Sequence, residues 1–185
     1  MLYFPIDENF EVFAEGTGEG NLLALKHRND KSLIGRWVLY ESQDPTICPI
    51  AVSGITKYQS TLLVGKRDRV KTFSGCWELA PSGGIDPSSL RGGLIDFRWQ
   101  LLKELEEETG IGSKDVDKVN PLVLVYDTEA PLIDICLEII VTTDKLRTNR
   151  EYSDLFWVPS DEIDQIKGDW VPLSKSLLTR FYSKS

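Results

Sequence analysis

The chain has 185 residues, 41% of them apolar and 27% charged, with a formal charge of -8 at pH 7. That length suits one domain, with or without an extension, and a chain of this size buries roughly 70% of its unfolded surface without a metal or disulfide staple. The composition excludes disorder, collagen and coiled coil, and the acidic balance argues against nucleic acid or anionic membrane as a partner, since phosphate neutralisation needs Lys and Arg in excess.

The N-terminus, MLYFPIDENF, lacks the basic region and apolar run of a signal peptide. No stretch approaches the ~18 apolar residues of a membrane span. A cytoplasmic location is therefore expected. Cys48, Cys76 and Cys136 are odd in number and far apart, which argues against a disulfide framework or a zinc knuckle. A single histidine, His27, lies in the polar run Lys26 to Lys31 and reads as a surface residue.

Residues 1–48 read as a β-rich extension. Glu11, Val12 and Phe13 begin a strand, and Ser32 to Tyr40 is a second. The extension is expected to add strands to the main domain or to make a partner contact, a homodimer included. Residues 49–185 form the main domain. Ile50 to Tyr58 and Thr61 to Lys66 are strands joined as a hairpin by Gln59-Ser60. Trp77 to Leu79 is a short strand, Pro81 to Gly84 is expected to turn, and 85–93 reads as loop.

Leu94 to Thr109 is the strongest helix, with Gly110 as its left-handed C-terminal cap. Leu122 to Asp127, Asp134 to Val141 and Phe156 to Val158 are strands. Ser160-Asp161-Glu162 starts a helix, and Ser174 to Tyr182 is the last helix. Strands and helices mix without a regular βαβ alternation, so the fold class is α+β.

At about 100° per residue, Phe97, Leu101, Leu105 and Leu102 form the buried stripe of the long helix. Glu104 and Glu108 fall on the edge of that stripe, Glu107 further round, and Glu106 on the other side. Glu104, Glu107 and Glu108 are thus an i, i+3, i+4 cluster of like charges near a helix C-terminus. Mutual repulsion and the helix dipole both disfavour it. A hard divalent cation would compensate. A charge run is ordinarily a solvated face, and Glu106 is assigned to one.

The segment Lys103-Glu104-Leu105-Glu106-Glu107-Glu108-Thr109-Gly110-Ile111 resembles the second half of the Nudix box, R-E-U-x-E-E-x-G-U with U aliphatic. Only the first position differs, Lys103 standing for Arg. The flanks TLLVGKRD, CWELAPSGG and EYSDLFWVP are similar to the family's lead-in and late strand, so the resemblance covers about residues 49–182. It departs in the first half. Gly84 lies nineteen steps before Lys103 where the family has fourteen, which places a five-residue insertion near 87–93. The first-half Glu is missing, and neither Asp86 nor Asp96 has its spacing. Lys103 also lacks the planar fork that orients a carboxylate.

The resemblance implies a Nudix-type α/β/α sandwich with a mixed sheet. It implies a Mg²⁺- or Mn²⁺-dependent hydrolase that cleaves a diphosphate linkage in a nucleoside diphosphate joined to another moiety. The alternative is a non-catalytic Nudix-fold module that binds a nucleotide. On the resemblance, Glu104 and Glu108 are direct metal ligands, and Glu107 is a further ligand or holds a water beside the metal. Glu108, Glu107 and Glu151 are the candidate catalytic carboxylates, with Glu129 also open as the base. Gly84 and Arg67 are the candidate substrate contacts, with Lys66 beside them. Trp77 and Trp157 read as packing residues. Tyr126 and Pro131 are weak pointers to the substrate. The partner implied is a nucleotide-derived small molecule.

Overall fold

The computed structural model describes residues 1–8, 10–14, 22–26, 33–38, 50–129, 132–147 and 150–182. His27, Cys48 and Pro131 lie outside them. In chain order the strands are β1 (Leu2–Pro5), β2 (Val12–Ala14), β3 (Leu22–Lys26), β4 (Leu33–Val38), β5 (Ile50–Tyr58), β6 (Thr61–Arg67), β7 (Trp77–Leu79), β8 (Ser82–Gly84), β9 (Leu90–Arg91) and β10 (Leu94–Ile95). Helix α1 (Phe97–Thr109), β11 (Val116–Asp127), β12 (Leu132–Val141), β13 (Tyr152–Pro159) and α2 (Pro172–Phe181) follow. This is the expected α+β composition. Among the described residues no helix is long and apolar enough to cross a membrane.

The chain divides into two compact units. The first comprises Met1–Ser53, Ser82–Leu101 and Asn120–Leu137. In it β1 pairs antiparallel with β11, Leu2 facing Tyr126, and β4, β3, β2, β10 and β9 form a five-stranded sheet in that order. Two expectations are corrected in this unit. Ser82–Gly84 does not turn: it pairs as a strand with Ala51–Ser53 of β5. The stretch 85–93 is not simply loop. Its residues from Leu90 form a hairpin with Leu94-Ile95 around Gly92 and Gly93, at φ 57° and 83°. Two consecutive left-handed positions are what a two-residue hairpin turn of the favoured twist needs, and glycine adopts them without a Cβ clash. The hairpin then continues onto β2 through Leu94 facing Phe13 and Ile95 facing Val12.

The long helix accordingly starts at Phe97, three residues later than expected. Asp96 sets that start: its carboxylate accepts from Trp99 N–H at 2.9 Å, a side-chain cap on an otherwise orphan donor. The buried stripe is Phe97, Leu101 and Leu105, with Leu102 only half-buried. The stop is as expected, with Gly110 at φ 76°.

The second unit comprises Gly54–Pro81, Leu102–Val119 and Glu138–Ser185. The β5–β6 hairpin turns at Gln59 (φ 53°), and β6 then pairs antiparallel with both β7 and β13. The Ser160 segment yields only a single short turn of 3-10 helix at Ile163–Gln165, and α2 closes the unit. β12 neighbours β5 in the hydrogen-bonding order. Ser53 bonds Asp134 and Lys57 bonds Glu138, each pair 81 residues apart. A constant offset marks parallel neighbours, so β5 and β12 run parallel alongside the antiparallel pairs above, and the sheet is mixed.

Candidate functional site

Four elements of the second unit converge on Glu108. The last turns of α1 carry it, and its side chain is 3% exposed although it is a carboxylate. Strand β13 brings Tyr152, whose hydroxyl lies 2.7 Å from Glu108 Oε2 and 2.8 Å from Glu78 Oε1. Strand β7 brings Glu78, also 3% exposed. Strand β6 brings Arg67, whose guanidinium donates to Glu78 Oε2 at 2.5 Å and to Thr72 O at 3.2 Å.

Tyr152 reaches this position through two local devices. The ladder between β6 and β13 shifts register between Tyr152 and Asp154, a bulge that re-aims the side chain. The ring then lies against Gly65. A Cβ on Gly65 would stand 2.5 Å from two ring carbons, so no larger residue fits unless the ring moves. A lone glycine inside the run TLLVGKR is explained by that close approach.

Burial, and then the charge of Glu78, push the Glu108 carboxyl well above its usual range. The Tyr152 hydrogen bond opposes this rise, and the charges of Glu104 and Glu151 add to it. Burial, and then the charges of Glu108 and Glu78, raise Tyr152. Burial works against the Arg67 cation, but the charge and hydrogen bond of Glu78, joined by the charges of Tyr152 and Glu108, outweigh it and its pKa is raised. The Tyr152 hydroxyl stands within hydrogen-bond distance of both carboxylates, and Arg67 pairs with Glu78.

The residues expected at the site fall as follows. Glu104 is half-buried and Glu107 exposed, both on the turns that carry Glu108. Glu151 is exposed, next to Tyr152, and its carbonyl accepts from Asp68 N–H at 2.6 Å. Arg67 is tied to Glu78. Gly84 belongs to the first unit, exposed and paired with Ala51, with open space where a Cβ would be. Glu129 and Tyr126 also lie in the first unit. Trp77 packs edge-on to Phe156 at 5.6 Å, with Lys66 over its ring. Trp157 packs against Tyr58.

Glu78, Tyr152 and Gly65 escaped the sequence reading. Glu78 had a signal: it is a lone charge between Trp77 and Leu79 in a three-residue strand. Gly65 had the signal just given, and Tyr152 had none beyond its place beside Glu151.

Glu104, Glu107 and Glu108 offer carboxylate oxygens, the chemistry a hard divalent cation takes. Burial first, and then repulsion from Glu78, Glu104 and Glu151, lifts the Glu108 pKa, and a cation would neutralise that second contribution. Among the described residues, no group of three or more His, Cys, Asp or Glu side chains stands in ligating position. The donor set therefore fits such a cation in kind, with its side chains turned to protein partners.

No family model and no curated protein matches the chain. Solved structures do. The Nudix domain of Shewanella oneidensis NrtR, solved with ADP ribose, superposes with a TM-score of 0.59 at 18% identity, covering 77% of this chain and 91% of that one. The chain has the Nudix fold. The MutT protein from Methanosarcina mazei Go1 matches at 25% identity and a TM-score of 0.51, covering 72% and 91%. A bifunctional NMN adenylyltransferase/ADP ribose pyrophosphatase from Francisella tularensis, solved with AMP and a Mn ion, matches at 13% identity and a TM-score of 0.56, covering 72% and 40%. In this Nudix fold the box-like helix is α1, and Glu108 is the box carboxylate that the protein buries.

Proposed function

We propose that the protein is a divalent-metal-dependent hydrolase that cleaves a diphosphate linkage in a nucleoside diphosphate joined to another moiety. The observation that carries this reading is the buried Glu108, on a box-like helix of a Nudix fold, with the charges of Glu78, Glu104 and Glu151 acting on it. Glu104 and Glu108 would hold Mg²⁺ or Mn²⁺, with Glu107 as a further ligand. When bound, the ion supplies charge neutralisation on the diphosphate and a more acidic water. The chain's own groups do the rest. Glu151, exposed beside the cluster, accepts a proton from the attacking water. The water oxygen forms the new P–O bond, and the bridging P–O bond breaks with its electron pair on the leaving phosphate. Glu108 holds its carboxyl fixed inside the unit. The substrate is nucleotide-derived, as are the ADP ribose and AMP bound by the neighbours above.

A second reading is a nucleotide-binding module without turnover. Lys103 in the arginine position and the missing first-half Glu of the box-like segment favour it. One experiment separates the two. Products are measured from ADP-ribose, UDP-sugars, dinucleoside polyphosphates, NADH and coenzyme A, with Mg²⁺ or Mn²⁺, for wild type and Glu108→Gln. Metal-dependent turnover lost in the variant supports the hydrolase. Binding of metal and nucleotide without turnover supports the module.

A further inference from the structure

The chain Arg67–Glu78–Tyr152–Glu108 draws each member from a different element: β6, β7, β13 and α1. Each link is specific. Arg67 is anchored on Thr72 O as well as on Glu78, and Glu78 presents one oxygen to Arg67 and the other to Tyr152. The Tyr152 ring is seated by the bulge in β13 and by the missing Cβ of Gly65. A flexible carboxylate on an exposed helix turn needs none of this. A carboxylate that must present one oxygen in one direction does, because ligand groups are held by the partners of their other atoms.

Lys103 stands where the box-like segment would carry an arginine, and an ammonium cannot give two parallel bonds to a carboxylate. Arg67 supplies a guanidinium from a strand instead, acting through Glu78 and the Tyr152 hydroxyl. We propose that Arg67, Glu78 and Tyr152 are positioning residues that fix the orientation of the Glu108 carboxyl for metal and substrate. On this assignment Arg67 is no phosphate contact: its guanidinium is spent inside the protein. The role rests on the hydrolase reading above and names the residues that make its site work.

The test uses the full chain with Tyr152→Phe, Glu78→Gln and Glu108→Gln, and the double variant Tyr152→Phe/Glu108→Gln. Tyr152→Phe keeps the ring over Gly65 and removes only the hydroxyl. Mn²⁺ alone is the binding probe, followed by electron paramagnetic resonance, and turnover is read on the substrate found in the panel above. Tyr152→Phe and Glu78→Gln should each weaken Mn²⁺ binding about 10- to 100-fold and lower kcat by a similar factor. KM should stay within about threefold, because the diphosphate itself touches neither residue. In the Glu108→Gln background, Tyr152→Phe should add nothing to the loss of Mn²⁺ affinity, since it acts through Glu108.

Mn²⁺ affinity and kcat within about twofold of wild type in both single variants would overturn the assignment. So would a Tyr152→Phe loss that multiplies with that of Glu108→Gln. If Tyr152→Phe does not fold, Glu78→Gln read by the same two observables decides. A wild type that neither binds Mn²⁺ nor turns over any substrate refutes the hydrolase reading and takes the positioning role with it. An active wild type with unaffected variants refutes the positioning role alone.

Discussion

Gly65→Ala tests the seating of Tyr152 directly. The substitution adds one carbon in the middle of β6, where the backbone conformation is open to any residue. The new Cβ would lie 2.5 Å from Tyr152 Cδ1 and Cε1 and 3.0 Å from Cγ. Carbon atoms rest at about 3.5 Å or more, so the ring must retreat by about 1 Å. Its hydroxyl now sits 2.7 Å from Glu108 and 2.8 Å from Glu78, and a retreat of that size strains or breaks both contacts. Overpacking costs about 1–3 kcal/mol. Leaving buried carboxyl partners unsatisfied costs about 1–3 kcal/mol more. Alanine's lower backbone entropy returns about 0.5–1 kcal/mol. The net expectation is a loss of about 1–5 kcal/mol, centred near 3, read as a fall in the urea midpoint at unchanged slope. In a Tyr152→Ala background the overlap is gone, and Gly65→Ala should then be neutral or slightly stabilising. Equal penalties in both backgrounds, or a wild-type-like midpoint for Gly65→Ala alone, would refute the packing argument.

The burial of Glu108 predicts a pH signature. Its carboxyl is raised in the folded state, so its contribution to stability is whole below the ordinary value of 4.5 and is lost as pH rises toward the folded value. Within that window wild type should lose about 1.4 kcal/mol per pH unit relative to Glu108→Gln, measured by denaturation with a chelator present; parallel pH profiles would contradict this. Gly110→Ala forces a side chain into φ 76° and within 2.8 Å of Arg147 Cβ, and should cost about 1–2 kcal/mol or more in thermal melts. Gly84→Ala meets open space at an ordinary φ and should stay within about 0.5 kcal/mol. Asp96→Ala removes the helix cap and should cost about 1 kcal/mol, which a matched loss of helix signal at lower denaturant would report.

The legibility of the sequence was uneven for physical reasons. The β5–β6 hairpin and the stop of α1 at Gly110 were readable, because local turn chemistry and a glycine cap decide them. The start of α1 was misplaced because Leu94 and Ile95 suit a helix or a strand equally well. Their fate is set by pairing with Leu90, Arg91 and β2, contacts from outside the window. The Gly92-Gly93 dipeptide did carry the hairpin signal, and reading it as loop hid the strand. At the site, helical spacing placed Glu104 and Glu108 at the edge of the apolar stripe, and Glu108 is buried there. Glu78 and Tyr152 are 74 residues apart in sequence yet share a hydrogen bond, a relation that periodicity cannot carry.

The strand that holds Glu78 is itself held from far along the chain. Trp77 exchanges backbone hydrogen bonds with Asp169 and Val171, its indole N–H donates to Lys167 O, and Leu79 N–H donates to Ser174 Oγ. Both neighbours of Glu78 are thus secured by residues made almost a hundred positions later. During synthesis the ribosome releases β6, β7 and the carboxylate helix well before it releases Ser174. For that interval β7 lacks its outer fastening, and until Tyr152 is made Glu78 lacks that partner as well. The acidic cluster therefore gains its full set of contacts only after Ser174 has been made, and until then its charges stay in water, where they are easily borne.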